Sequence, residues 1–419
     1  MFAERLSQQP EVVKPRYGAA CFADLPQTLF HLLTGQGAPA LAPEILNGLA
    51  PTYDKVILIL VDAFGWRFFE RYQEDHPFLT EIAKEGVVAR LTSQFPSTTA
   101  AHVTCIHTGL TPGQSGVYEW QYYEPQLDLM ITPLLFSFAG ELTRETLQTT
   151  GVEPGQLYPA TTIYPTLQQY GVASHVFQPV GFAYSTYSQQ MTAGAKMVPY
   201  RTLPEALVNL EYLLAQQLSK AYFNLYLGDI DSICHRYGPV SRQIEAEIDI
   251  LLTTMDRWLL RQLKGKAKQT LLMVVADHGQ IEVDPKTTLY LNLDPRFEGV
   301  QRYLKTNRAG QLLVPAGSPR DMFLYVKDEL LDEAQAFLAG RLAGQAEVEQ
   351  TQRLIDEGYF GPPPVSAAFL ARVGNLIILP YPHETIWWYE KDRFEQKFYG
   401  HHGGLTRQEM EIPLLLYSF

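Results

Sequence analysis

Six side chains able to hold divalent cations recur in four separated pieces of this chain, each where a strand should end. Asp62 closes VILILVDAFG, and Asp231 and His235 lie in YLGDIDSICHRYGP. Asp277 and His278 follow LLMVVA, and His402 sits in YGHHGGLTRQEMEIPLLL, with His401 next to it as the other candidate ligand there. Three carboxylates and three imidazoles are hard-to-borderline donors that suit two divalent cations, Zn²⁺ most naturally, with Mn²⁺ or Mg²⁺ compatible with the same mixed set. Between the first two pieces comes QFPSTTAAH, a loop rich in hydroxyls. A hydroxyl beside a cation pair is what phosphoryl chemistry needs. Each pair is a weak signal alone. Asp231 and His235, four apart, share one face of a helical turn, and neighbours Asp277 and His278 can both reach one ion from a loop. Gly279 suits a tight turn there, and Gly403 and Gly404 let backbone approach a site.

The elements that must position these residues alternate. The run from Lys55 to Val61 reads as a strand buried on both faces. PFLTEIAKEGVVARLTS, TTIYPTLQQYGVASHVFQP and LPEALVNLEYLLAQQLSKAYFNLYLGD each read as helix then strand, and RQIEAEIDILLTTMDRWLLRQLKG as a long helix feeding TLLMVVA. AAHVTCIHTGL reads as a helix capped by Ser97, Thr98 and Thr99. Such alternation predicts an α/β fold, a mostly parallel sheet with helices on both faces, whose ligands bind beyond the carboxyl ends of the strands. Residues 283–398 read as a small α+β insertion, with strands in DMFLYVK, FLARVGNLIIL and TIWWYE and helices in LLDEAQAFLAGRLA and VEQTQRLIDEG. The catalytic domain is then 1–282 together with 399–419, closed by the strand IPLLLYSF, and the insertion is placed to act as a cap or as structural decoration.

At 419 residues the chain exceeds the usual single-core size, which fits a large domain with an insertion. A net charge of −12 without a basic block argues against duplex nucleic acid and anionic membranes as partners. The first residues carry charges and prolines where a leader would be apolar. Three cysteines without pair spacing indicate no disulfide framework. A cytoplasmic location is the expectation.

The ordered set LVDAFG, FPSTT, DIDSICHRYGP, ADHG, GHHGG and EMEIPLL resembles the alkaline phosphatase superfamily, and within it the type I phosphodiesterase/nucleotide pyrophosphatase family. The resemblance runs from about Lys55 to the carboxyl terminus and is loose in the insertion. It implies an alkaline-phosphatase-like fold and assigns the nucleophile to Thr99, with Thr98 the alternative. It implies one metal site of Asp231, His235 and His402 and a second of Asp62, Asp277 and His278 completed by the Thr99 hydroxyl. Asp231 rather than Asp229 is then the ligand. The implied reaction is cleavage of a phosphodiester or pyrophosphate bond in a small, nucleotide-like phosphate ester through a phosphothreonine intermediate.

One departure bears on the substrate. Many relatives carry an asparagine after the Thr-Gly pair, and Trp120 stands at that position here. Ionised Glu119 would not replace the amide donor. Trp120 and Tyr118 are candidate substrate contacts by stacking, as are Tyr122 and Tyr123, with burial in a core the competing reading. The rival functions are a phosphomonoesterase or phosphomutase of the same superfamily and a non-catalytic metal-binding relative. A sulfatase is disfavoured because no Cys-or-Ser-x-Pro-x-Arg element occurs at the nucleophile loop.

Overall fold

A computed structural model describes residues 12–419. The expectation about the amino-terminal segment therefore lies, over residues 1–11, outside the described part. KVILILV forms strand β1 (Lys55–Val61) because both of its faces are covered. Val56 to Val61 are each no more than 2% exposed, and burial of such a side chain contributes about 1.5–3 kcal/mol. Six further strands join it: β2 (Val87–Thr92), β3 (Ala173–Pro179), β4 (Lys196–Tyr200), β5 (Ala221–Leu227), β6 (Thr270–Val275) and β7 (Glu411–Ser418). The sheet order is β2-β7-β6-β1-β5-β3-β4. Strand β1 pairs in parallel with β5 and β6, whereas β7 runs antiparallel to β6 and β2. The reversal follows from connection length. The chain reaches β7 from the His402 loop through only a short turn of helix (Arg407–Met410), and a parallel crossover needs a dozen residues or more.

Helices α1 (Leu25–Thr34), α2 (Pro77–Glu85), α3 (Thr99–Thr108), α4 (Ile163–Gln169), α5 (Leu203–Gln216), α6 (Asp229–Tyr237) and α7 (Arg242–Met255) surround the sheet. Helix α7 packs against α2 and α5, while α1, α3 and α4 pack together as a separate group. The expected alternation is the observed one, with one omission. Strand β4 contains Pro199, which weakens its pattern, and the proline is admitted because β4 lies at the sheet edge. Among the described residues no helix is long and apolar enough to cross a membrane.

Within residues 283–398 an antiparallel sheet has the order Met322–Leu324, Leu376–Pro380, Ala346–Gln350. Two details correct the sequence reading. AEVEQ is a strand, not the start of a helix, and the helix is confined to Thr351–Asp356. FLAR belongs to a helix, Ala367–Arg372, whose N-cap Ser366 accepts the Phe369 N–H at 3.0 Å. This sheet shares an apolar cluster with Phe95 and Ala100 beside the hydroxyl loop and with Val117, Tyr118 and Tyr122. A buried ion pair, Arg372 to Glu124 at 2.7 Å, lies in the same region.

Candidate functional site

The carboxyl ends of β1, β5 and β6 lie side by side at the middle of the sheet, so the residues that follow them converge. Asp62 follows β1 directly. Ala63 then takes φ 62°, a left-handed conformation that costs a non-glycine residue about 1–2 kcal/mol. It is held by its N–H, which donates to Asp277 Oδ1 at 3.0 Å. The loop after β6 carries Asp277 and His278, and α6 carries Asp231 in its first turn and His235 in its last. His402 arrives beside them because Gly400–His401 pairs with Ile281–Glu282 just after that loop.

The structure brings together Asp62, Thr99, Asp231, His235, Asp277, His278 and His402. Donor atoms of Asp62, Asp277 and His278 lie within 4.8 Å of one another, as do those of Asp231, His278 and His402. His278 Nε2 is 3.4 Å from Asp62 and 3.5 Å from Asp277. Asp231 Oδ1 is 3.3 Å from His235 Nε2 and 3.6 Å from His402 Nε2. His278 thus lies between the two groups, and its ring stacks on His402 at 3.7 Å. Thr99 Oγ1 is 3.2 Å from His278 Nε2 and donates toward Asp62 Oδ2 at 3.4 Å.

The second layer fixes which atoms face the centre. Nδ1 of His235 meets the Gly400 carbonyl at 2.8 Å, that of His278 the Gly279 carbonyl at 3.0 Å, and that of His402 the Ser97 carbonyl at 2.8 Å. A carbonyl only accepts, so Nδ1 carries the proton in all three rings and each Nε2 presents its lone pair. Tyr226 donates its hydroxyl to Asp62, and Gln280 donates to Asp231 Oδ1 at 2.6 Å. Burial, reinforced by the charges of Asp277 and Asp231, holds the Asp62 carboxyl well above its ordinary range, and burial drives Asp277 up to about 7. Burial also pushes His278 and His402 well below the ordinary imidazole value. Completely buried Asp277 Oδ2 has no hydrogen-bond donor. An orphaned carboxylate oxygen facing unprotonated imidazole nitrogens fits a cation, whose charge would offset the desolvation.

The remaining candidates separate by position. Thr98 occupies the N-cap of α3, but its hydroxyl makes no capping hydrogen bond and lies beside the Glu119 carboxyl. Ser97 Oγ donates to the Gly404 carbonyl at 2.8 Å. Asp229 is exposed, whereas Asp231 turns inward. Tyr118 does not line a substrate surface: it is fully buried, stacked on Tyr122 at 5.1 Å, with its hydroxyl donating to the Arg372 carbonyl. Trp120 is 43% exposed and stays available to a ligand. Gly279 is required for close approach and not for a turn, since an added Cβ would lie 2.1 Å from the Gln408 carbonyl and 3.2 Å from Gly65 Cα. Tyr226 and Gln280 were not singled out in the sequence. Gln280 had a signal, two residues past His278, but Tyr226 reads there only as one alternating residue of a strand.

The family model described as type I phosphodiesterase/nucleotide pyrophosphatase matches residues 56–405. The chain is 27% identical over 243 residues to venom phosphodiesterase CdcPDE of Crotalus durissus collilineatus, covering 54% of this chain and 26% of that protein. It is 25% identical over 271 residues to ectonucleotide pyrophosphatase/phosphodiesterase family member 7 of Homo sapiens, covering 61% and 52%. The matches thus span about a quarter of the venom protein (26%) and about half of the human one (52%). The solved structure of murine ectonucleotide pyrophosphatase/phosphodiesterase 5 has the same fold, with a TM-score of 0.63 at 19% identity over 87% of this chain and 88% of that one. By the extent of the family match, the chain belongs to the type I phosphodiesterase/nucleotide pyrophosphatase family, within the alkaline phosphatase superfamily.

Proposed function

We propose that this chain is a two-metal hydrolase that cleaves phosphodiester or pyrophosphate bonds in nucleotide-like substrates, with Thr99 as nucleophile. The observation that carries the reading is the Thr99 hydroxyl, 3.2 Å from His278 Nε2 and 3.4 Å from Asp62, at the first residue of α3. Asp62, Asp277 and His278 would hold one cation and Asp231, His235 and His402 the other, with Zn²⁺ the ion best matched to the donors. Such ions supply positive charge that favours the ionised threonine and the charge developing on the phosphoryl group.

The chain's own residues do the rest. Asp62 accepts from Thr99, which holds Oγ1 in place and gives its proton a destination. Thr99 Oγ1 attacks phosphorus in line, the bond to the leaving oxygen breaks, and a phosphothreonine forms. Water then attacks the same phosphorus, releasing the phosphate monoester and restoring the hydroxyl. Unpaired N–H groups at the start of α3 favour the anionic phosphoryl oxygens. Tyr226 and Gln280 orient Asp62 and Asp231. Trp120 offers a flat face to the leaving group or base.

A nucleotide-like substrate is further supported by the murine ectonucleotide pyrophosphatase/phosphodiesterase 5, whose inactive form was solved in complex with AMP. In this reading residues 283–398 form the cap over the catalytic domain. A cytoplasmic location belongs to the same reading, supported by Cys21, Cys105 and Cys234 being buried free thiols; recovery of the chain outside the cells that make it would overturn that part.

The deciding experiment compares hydrolysis of para-nitrophenyl thymidine monophosphate and para-nitrophenyl phosphate with added Zn²⁺, for wild type and Thr99→Ala. Faster diester cleavage that disappears in the variant is the expected outcome. Preference for the monoester would move the function to a phosphatase or mutase. Turnover of neither would leave a metal-binding protein and defeat the proposal.

A further inference from the structure

Behind the site, on the side of the insertion, two carboxyl groups lie together, and among the described residues no basic side chain pairs with either. Glu119 and Asp321 are both 0% exposed and lie within hydrogen-bonding reach of one another. Glu119 accepts the Trp120 N–H through Oε2 and lies beside the Thr98 hydroxyl, while its Oε1 has no donor. Asp321 accepts from Ser318 N at 3.1 Å and Ser318 Oγ at 2.5 Å through Oδ1, while its Oδ2 has no donor. Arg320, next in sequence, is not the missing partner. Its guanidinium is committed to both oxygens of Glu409 at 3.0 Å and to the carbonyls of Tyr381 and Glu384.

Two fully buried carboxyls in contact cannot both be ionised, because each charge is desolvated and repels the other. One proton between them removes a charge and satisfies both orphaned oxygens in a single bond. Burial drives Glu119 up to about 8, and burial together with the Glu119 charge holds Asp321 well above the ordinary range, as such sharing requires.

The pair also joins the two halves of the site. On one side Thr98 is the residue before Thr99. On the other, Ser318 Oγ reaches the His402 carbonyl at 3.1 Å. The loop carrying His402 packs directly on the pair. Gly403 has φ 123°, and a Cβ there would lie 2.5 Å from Ser318 Oγ and 2.7 Å from Asp321 Oδ1. We infer that Glu119 and Asp321 share one proton and act as positioning residues, fixing Thr99 and His402 relative to one another through Thr98 and Ser318. The inference rests on the proposed function for the roles of Thr99 and His402. It gives the insertion a part in the site, since it contributes Ser318 and Asp321.

The test uses the full chain loaded with Zn²⁺, comparing wild type with Glu119→Gln, Glu119→Ala and Ser318→Ala. Three quantities are read: kcat and KM on para-nitrophenyl thymidine monophosphate, Zn²⁺ affinity by competition with a chelator, and Tm. Glu119→Gln places an N–H where the shared proton was and should keep kcat within about threefold of wild type, whereas Glu119→Ala should lose about 10–100-fold in kcat with KM little changed, and bind Zn²⁺ more weakly. Ser318→Ala leaves the pair intact but frees the His402 loop, so it should lose about tenfold in kcat with a Tm near wild type, and it decides the matter if Glu119→Ala does not fold. Folded Glu119→Ala or Ser318→Ala with wild-type kcat and Zn²⁺ affinity would overturn the inference, as would Glu119→Gln failing as badly as Glu119→Ala. A wild type that binds Zn²⁺ yet turns over no ester defeats the proposed function instead, and the affinity comparison then judges the inference alone.

Discussion

Asp62 is held from two directions, by the Tyr226 hydroxyl and by Thr99, and in the proposed reaction only Thr99 takes part in bond-making. Tyr226→Phe keeps the ring and removes the donor. We expect kcat/KM to fall by about tenfold, the lower end for loss of a ligand-orienting partner, while Thr99→Ala abolishes turnover. A Tyr226→Phe variant with unchanged kcat/KM would show that the backbone alone fixes Asp62. Tyr118 gives the opposite expectation. Its hydroxyl makes one long bond, 3.3 Å to the Arg372 carbonyl, inside the apolar cluster. Tyr118→Phe should leave kcat/KM within about twofold and cost about 1 kcal/mol of stability in urea unfolding. A large kinetic effect would return this ring to the substrate surface.

Among the elements, the loops that follow β1 and β6 cross so closely that Gly65 and Gly279 are in backbone contact, with the Gln408 carbonyl against both. Gly279→Ala has no room for its Cβ and must displace His278. A loss of about 1–3 kcal/mol in urea unfolding is expected, accompanied by weaker Zn²⁺ binding in chelator competition. Unchanged metal affinity in the folded variant would mean that the loop yields without moving its ligands. Helix α3 supplies a pH effect independent of the proposed metal ligands. His107 is fully buried against Tyr164, and burial pushes it down to about 4. Below the ordinary imidazole value the unfolded chain takes up a proton that the folded chain refuses. Its contribution is therefore complete above about pH 6.5 and is lost as pH falls toward 4. Wild type should lose about 2 kcal/mol more than His107→Gln between pH 6.5 and 5. Parallel stability-versus-pH curves for the two proteins would refute this.

For the whole molecule, the central question is how much of the fold depends on filling the site. Four buried side chains proposed to hold the ions, Asp62, Asp277, His278 and His402, pack between the ends of the central strands, and ions that bind only the folded state stabilise it by mass action. Free Zn²⁺ at a hundred times its dissociation constant adds about 2.7 kcal/mol per site. Exhaustive chelation should therefore lower Tm by several degrees, and stoichiometric Zn²⁺ should restore it. A Tm indifferent to both treatments would mean that these donors hold no ion. The net charge of −12 repels phosphate esters at long range, so the same ions would also reverse the field where the substrate lands.

The sequence by itself determined the parallel core and the neighbourhood of the site. Its long aliphatic runs have only one stable use, as strands buried on both faces, and the helix-strand alternation obliges their carboxyl ends to share one edge. Asp62, Asp231, Asp277 and His278 could be found on that basis because each sits just beyond such a run. Strand β4 and the boundaries around AEVEQ and FLAR were not legible, since short segments take their form from the neighbours they pair with or pack against. Nor was the fate of Tyr118, because burial depends on what lies opposite, and no spacing along the chain says that Phe323 and Phe369 will close over it. Only the tertiary structure decided which nitrogen of His235 and His402 faces inward, because the carbonyls of Gly400 and Ser97 that fix their tautomers are brought up by distant loops. It likewise decided that Glu119 meets Asp321. The two are about 200 residues apart in the chain, and a hydrogen bond between such partners exists only once the insertion has packed against the loop that carries the threonine.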